Sequence, residues 1–206
     1  MKLICWHGWG YDNTFFAPLM KILTDVDIIC VNEGYFGAPY IPPVANDVAI
    51  GIGHSQGFSR LIQTFPNLQG YVSLNGFTQF MRSQNFPNGT PKAMLGAMIQ
   101  QYQRHPDVVL QTFYERTGHP HLGAPLHRND ELLRQNLTAL RSLSIKLPEA
   151  PILAIAGTDD LITPVTLQQD CFSKLHLIEN ANHSLLPTHA TVCATLIRSF
   201  IESIAS

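Results

Sequence analysis

Six short apolar runs alternate with stretches of helical spacing, and this alternation limits the chain more than any other feature. The runs cover residues 3–6, 27–31, 48–53, 70–74, 152–156 and 175–178. Most are rich in Ile and Val, and their apolarity is continuous rather than alternating. Such runs suit strands covered on both faces, as in a parallel sheet. Between them, residues 14–24 place Phe15, Phe16, Leu19, Ile22 and Leu23 on one side of a helix. Residues 55–65 do the same with Phe58, Leu61, Ile62 and Phe65. Near the end, Cys193, Leu196, Ile197, Phe200 and Ile204 keep a helical spacing. Strand–helix alternation predicts an α/β fold with a mostly parallel, doubly wound sheet.

Residues 77–148 break the rhythm. They open with the turn-rich Phe86-Pro87-Asn88-Gly89-Thr90-Pro91 and contain no good strand. Three helices are expected, over 92–102, 105–116 and 129–143. Pro106 suits a first helical turn, and Asn129 is a candidate N-cap with Asp130 and Glu131 behind it. Residues 77–148 therefore read as a helical lid inserted after the fourth strand of a core formed by 1–76 and 149–206. The segment is also basic, with eight Lys and Arg against four Asp and Glu; the rest of the chain has five against eleven. A basic face of this kind fits an acidic partner or a phosphate as well as an ordinary solvated surface.

The 206 residues, 45% of them hydrophobic and 14% charged, suffice for one substantial core. A formal charge of −2 argues against nucleic-acid binding. No 18-residue apolar stretch is present, so no membrane span is expected. The first residues lack a long apolar signal core, which predicts a cytoplasmic protein. Cys5, Cys30, Cys171 and Cys193 form no Cys-x-x-Cys pair and read as buried thiols. His119, His121 and His127 read as lid histidines rather than metal ligands, and no metal or organic cofactor is expected.

Gly53-His54-Ser55-Gln56-Gly57 ends an apolar strand and opens a helix, the pattern of a nucleophile elbow. So sharp a turn forces Ser55 into a strained conformation and leaves no room for a side chain two residues before or after it. The turn lifts the Ser55 hydroxyl clear of the sheet and aims the Gln56 amide at negative charge on a bound carbonyl. A serine needs a base, and in this architecture the order is Ser, acid, His. Asp159 and Asp160 compete for the acid in the loop after the fifth strand, ahead of Thr163-Pro164, read as N-cap and first helical residue. Asp160 is the choice. His183, in the loop after the last strand, is the candidate base. His7-Gly8-Trp9-Gly10 follows the first strand, and its glycines permit a turn that points the Trp9 amide inward as a second oxyanion donor. His54 points the wrong way to serve Ser55.

His-Gly-Trp-Gly, Gly-x-Ser-x-Gly, Gly-x-x-Asp-x-x-x-Pro and Ala-x-His together resemble the α/β-hydrolase superfamily across nearly the whole chain. Within it the sequence is most similar to the pimeloyl-[acyl-carrier protein] methyl ester esterases of biotin synthesis. The Trp of His7-Gly8-Trp9-Gly10, the short N-terminus without a leading hairpin, and Phe86-Pro87 and Pro91 before a Gln-rich helix carry that likeness. The resemblance implies an α/β-hydrolase fold and a serine carboxylesterase that releases methanol from an ester borne on an acyl carrier protein. It also implies a lid aromatic near the acyl chain, best matched by Phe113, with Trp9 beside it as a substrate contact. Arg116, Arg128, Arg134 and Arg141 are candidate carrier-docking residues, Arg134, Thr138 and Arg141 forming one helical stripe. A monomer is expected. The chain departs from the family at Phe58, where a second glycine is common, and at Gln56, where Leu or Met is common. Other readings stay open: a short-chain carboxylesterase, a thioesterase, the cyclohexadiene-carboxylate synthase of menaquinone synthesis, or a non-catalytic binding module.

Overall fold

The computed structural model describes residues 2–43, 48–119 and 127–205. Six strands form one sheet: β1 (Lys2–Trp6), β2 (Asp27–Val31), β3 (Val48–His54), β4 (Gly70–Leu74), β5 (Ile152–Gly157) and β6 (His176–Ile178). Their order is β2-β1-β3-β4-β5-β6, and every pair is parallel. All six therefore end at one edge of the sheet. Central β4 is buried throughout, whereas edge strand β2 is half-exposed, as continuous apolarity at the centre requires.

Two glycines show which helix covers which face. Around the β3 segment the first long helix is α2 (Gln56–Thr64), and a Cβ on Gly51 would lie 2.6 Å from Leu61 of that helix. A Cβ on Gly70 would lie 2.4 Å from Ile204, in the C-terminal helix Leu185–Ala205. Gly51 pairs with Tyr71, so Gly70 faces the opposite side. The sheet is thus covered on both faces, and the missing side chains let both helices approach it.

The N-terminal helix expected over 14–24 is shorter than its periodicity suggests. Asn13–Phe16 form a 3₁₀ turn capped by Asp12, and α1 is the single turn Ala17–Met20. Pro18 has no N–H to give the Thr14 carbonyl, so one continuous α-helix cannot run through it. Phe15, Phe16, Leu19 and Leu23 are nonetheless all buried.

Between β4 and β5 lie α3 (Lys92–Arg104), α4 (Pro106–Thr117) and α5 (Asp130–Ala139), with no strand among the described residues. Asn129 caps α5 by accepting from the Leu132 N–H. The helix expected to reach 143 ends at Ala139. Ile145 donates to the Thr78 carbonyl at 2.9 Å, and Ser144 bridges Gln79, which draws the chain back to the core. Helices α6 (Val165–Cys171) and α7 (Leu185–Ala205) follow β5 and β6. Pro164, not Thr163, is the N-cap of α6; the Thr163 hydroxyl is bound elsewhere.

Candidate active site

Ser55 sits between β3 and α2 with φ 54° and ψ −129°, a strained conformation outside the helical and extended regions. The neighbouring glycines are obligatory. A Cβ on Gly53 would lie 2.2 Å from the Phe58 Cα, and one on Gly57 would lie 2.3 Å from the Trp6 carbonyl. Phe58 is accommodated because Gly76 faces it, where a Cβ would come within 2.6 Å of the Phe58 Cβ. Gln56 opens α2, so its amide is among the free N–H groups of a helix start. Its side chain is buried and its Nε2 donates to the Asn136 carbonyl of α5 at 3.1 Å.

The turn after β1 lies against this elbow. Tyr11 N–H donates to the Gly8 carbonyl at 3.3 Å, and Gly10 has φ +76°, which favours glycine. A Cβ on Gly8 would lie 2.8 Å from the Ser55 Cβ. Buried His7 takes a structural part: Nε2 accepts from the Glu33 N–H at 3.1 Å, which assigns Nδ1–H to the Gly8 carbonyl at 2.9 Å. The Trp9 indole donates to the Leu133 carbonyl at 2.8 Å and meets Phe113 edge-on at 4.9 Å between centroids.

Asp160 and His183 meet, although 23 residues separate them. His183 Nδ1 is 2.7 Å from Asp160 Oδ2, both side chains being fully buried. A carboxylate acceptor assigns the proton to Nδ1 and leaves the lone pair of a neutral ring on Nε2. Asp160 Oδ1 accepts from the Ile162 and Thr163 N–H groups at 2.7 and 2.8 Å. The Thr163 hydroxyl lies 2.7 Å from Asp160 Oδ2 and 3.1 Å from the Asn75 carbonyl. It has one proton for two acceptors, and the shorter distance to a carboxylate assigns it to Asp160. Asp159 is exposed and its carboxylate takes a bond from Thr158.

His183 Nε2 is buried and makes no hydrogen bond to any described residue, Ser55 included. The link from serine to histidine is therefore open in this structure. The two loops are nevertheless tied together. His54, the residue before Ser55, bonds the His183 carbonyl through Nε2 at 3.1 Å, and the two rings lie 4.9 Å apart. Burial, reinforced by the proximity of the His183 imidazole, holds the His54 pKa well below its ordinary value.

Ser55, Trp9, Gln56 and Phe113 line one cavity of about 610 Å³, within the range of small-molecule sites. Its walls are mostly apolar, from Phe77, Phe80, Leu95, Met98, Leu137 and Leu140, with Arg82 and Arg116 among the polar residues. The helical insert braces the site directly. Tyr114 OH donates to the Gly10 carbonyl at 2.6 Å, and the Ser184 N–H donates to the Thr117 carbonyl at 3.0 Å. Among the described residues no three His, Cys, Asp or Glu converge as metal ligands would; His121 lies outside them. No helix among them is long and apolar enough to cross a membrane.

The candidate docking arginines differ. Arg128 is bonded at the surface to Asp107 and Asp130, two exposed carboxylates that offset its charge locally. Arg134 pairs with Glu131 at 2.6 Å. Arg141 lies beyond the end of α5 and is exposed, so it does not continue a helical stripe from Arg134. Arg116 Nη2 donates to the Leu161 carbonyl at 2.8 Å, a neutral acceptor that leaves its charge uncancelled. Asn75, absent from the sequence reading, carries more hydrogen bonds at the site than any of these; Asn-Gly directly after a strand was the available signal.

The strand order, the elbow after the third strand and the paired loops after the fifth and sixth define an α/β-hydrolase by fold. Solved structures agree: an esterase from Exiguobacterium antarcticum matches with a TM-score of 0.78 at 15% identity, covering 100% of this chain and 92% of that one. A bromoperoxidase from Bacillus anthracis matches at 0.74 and 16%, covering 98% and 92%. Among curated sequences, the chain is similar to the pimeloyl-[acyl-carrier protein] methyl ester esterase of Neisseria meningitidis serogroup C, 26% identical over an alignment that covers 98% of this chain and 94% of that protein. A serogroup B protein of the same name is 24% identical, the alignment covering 98% and 93%. No family model matches the sequence.

Proposed function

We propose that this chain is a serine carboxylesterase with Ser55 as nucleophile, His183 as general base and Asp160 as the carboxylate that orients it. The reading rests chiefly on the buried 2.7 Å Asp160–His183 bond beside a strained Ser55 at the wall of an apolar cavity. Ser55 Oγ attacks the ester carbonyl while His183 Nε2 takes its proton. The oxyanion is held by the Trp9 and Gln56 amides, each such donor being worth about 3–4 kcal/mol. Asp160 stabilises the imidazolium. His183 then protonates the departing alkoxide, giving an alcohol and an acyl-Ser55 ester. Water attacks that ester with His183 again accepting a proton, and the acid leaves as Ser55 regains its hydrogen.

The substrate we propose is a pimeloyl methyl ester on an acyl carrier protein, with methanol as leaving group. Support comes from the names of the two Neisseria relatives and from the basic balance of residues 77–148. Arg116 and Arg141, whose charges no carboxylate cancels in the bonds described above, are the stronger candidates to meet an acidic carrier; Arg128, offset by Asp107 and Asp130, is the weaker one. The test is rescue of a biotin auxotroph that lacks its own methyl-ester esterase. Wild type is expected to restore growth and Ser55→Ala to fail. A folded wild type that hydrolyses short esters without rescuing growth refutes the carrier-linked substrate but leaves the esterase standing.

A further inference from the structure

We infer that Asn75 is the positioning residue that sets the distance between Asp160 and His183. The inference rests on the proposed esterase reading for its kinetic consequence but not for its geometry. Asn75 follows β4 directly, is fully buried and has φ +50°, a left-handed conformation that asparagine tolerates better than most side chains. Its carboxamide uses its full capacity of two donors and two lone pairs. Nδ2 donates to the carbonyls of Asn182 and His183 at 3.0 and 2.9 Å. Oδ1 accepts from the Gly157 N–H at 2.9 Å and from Gln168 Nε2 at 3.2 Å. Two bonds therefore grip the loop of the base. The other two grip the end of the strand that leads to Asp160 and the helix that follows it.

Main-chain bonds reinforce the same joint. The Asn75 N–H donates to the Ile155 carbonyl at 2.9 Å, and Gln168 Nε2 also reaches the Thr163 carbonyl at 2.9 Å. A planar carboxamide has fixed donor and acceptor directions, so the two loops cannot slide past each other without breaking bonds in a buried setting. Buried polar groups that lose their partners are costly, which makes this joint stiff. Asn75 touches none of the reacting atoms; it acts through the two loops it clamps. Catalytic pairs tolerate displacements of only about 0.5 Å, and stiffness of this kind supplies that tolerance.

Asn75→Gly tests the inference, because glycine keeps the left-handed backbone without strain and removes only the four side-chain bonds. With a short p-nitrophenyl ester, kcat is expected to fall by roughly 30- to 100-fold, the effect of a displacement near 1 Å, with KM little changed. The downfield proton resonance of His183 Nδ1–H, visible when that proton is bonded to Asp160, is expected to move upfield or vanish. A folded Asn75→Gly with wild-type kcat and an unmoved resonance overturns the inference. Should Asn75→Gly fail to fold, Gln168→Leu removes one of the four bonds together with the Gln168 bond to the Thr163 carbonyl; a loss of about 3- to 10-fold in kcat with a resonance shift in the same direction is expected. Wild-type behaviour in both readouts overturns it. A resonance that responds to these changes in a protein without esterase activity upholds the positioning role and refutes the esterase reading instead.

Discussion

The carboxyl edge of the sheet and the helical segment between β4 and β5 contribute to one cavity but are built by different means. At the sheet edge, backbone geometry and buried hydrogen bonds fix each side chain. Ser55 is strained between two obligatory glycines, and Asp160 accepts four bonds, one of them from His183. In the insert, helices present an apolar stripe inward, and their charges are exposed or pair locally, as Arg134 does with Glu131. The edge holds atoms in place, while the insert supplies apolar wall and surface charge.

The sharpest way to break this comparison is a pair of glycine substitutions. Gly57→Ala places a methyl group 2.3 Å from the Trp6 carbonyl, a backbone atom that cannot move aside. The variant is expected to lose more than about 3 kcal/mol in urea unfolding, or not to fold. Gly96 in α3 has nothing within 4 Å of a built Cβ, so Gly96→Ala is expected to gain about 0.5–1 kcal/mol from helix propensity. Equal responses at the two sites would erase the distinction.

This difference also decides how much was legible in the sequence. The strand-end positions of Ser55, Asp160 and His183 were readable because turns write themselves in glycine, proline and chain order. Thr163 was noticed for the wrong reason: Thr-Pro suggested a helix cap, whereas the hydroxyl serves Asp160. Asn75 was missed because Asn-Gly after a strand signals only a turn, whereas its partners come from Gly157, Gln168 and residues 182–183, which no local pattern connects. The apolar period over 14–24 found the right buried residues and overran Pro18. In the insert, the basic surplus was readable, but Asp107 lies 21 residues from Arg128, and only the fold brings them together.

A charge-reversal comparison sharpens the account of the insert. Arg141→Glu is expected to raise KM for a carrier-linked ester several-fold at low salt and to leave a free short ester unaffected. Arg134→Glu removes a cation that Glu131 already partly neutralises, and a smaller rise is expected. Equal effects on both substrates would remove the docking role.

The smallest expected effect is a pH dependence of stability from the sheet edge. Burial depresses the pKa of His54 and of His7 below the ordinary 6.5. A depressed histidine is neutral in the fold, so its contribution is complete above the unfolded pKa and is lost as pH falls below it. Each such group gives a slope of up to about 1.4 kcal/mol per pH unit. The urea midpoint of the wild type is expected to fall between pH 7 and pH 5, and to fall less in His54→Gln. Identical pH profiles for the two proteins would contradict this assignment.

The central claim is that Ser55 and His183 act as one unit although no hydrogen bond joins them in this structure. Mass spectrometry of the folded protein after reaction with a fluorophosphonate tests it most directly. One adduct is expected, on the peptide carrying Ser55, formed at least ~100-fold more slowly in His183→Ala. An unlabelled Ser55 in folded wild type, or labelling as fast without His183, would contradict it.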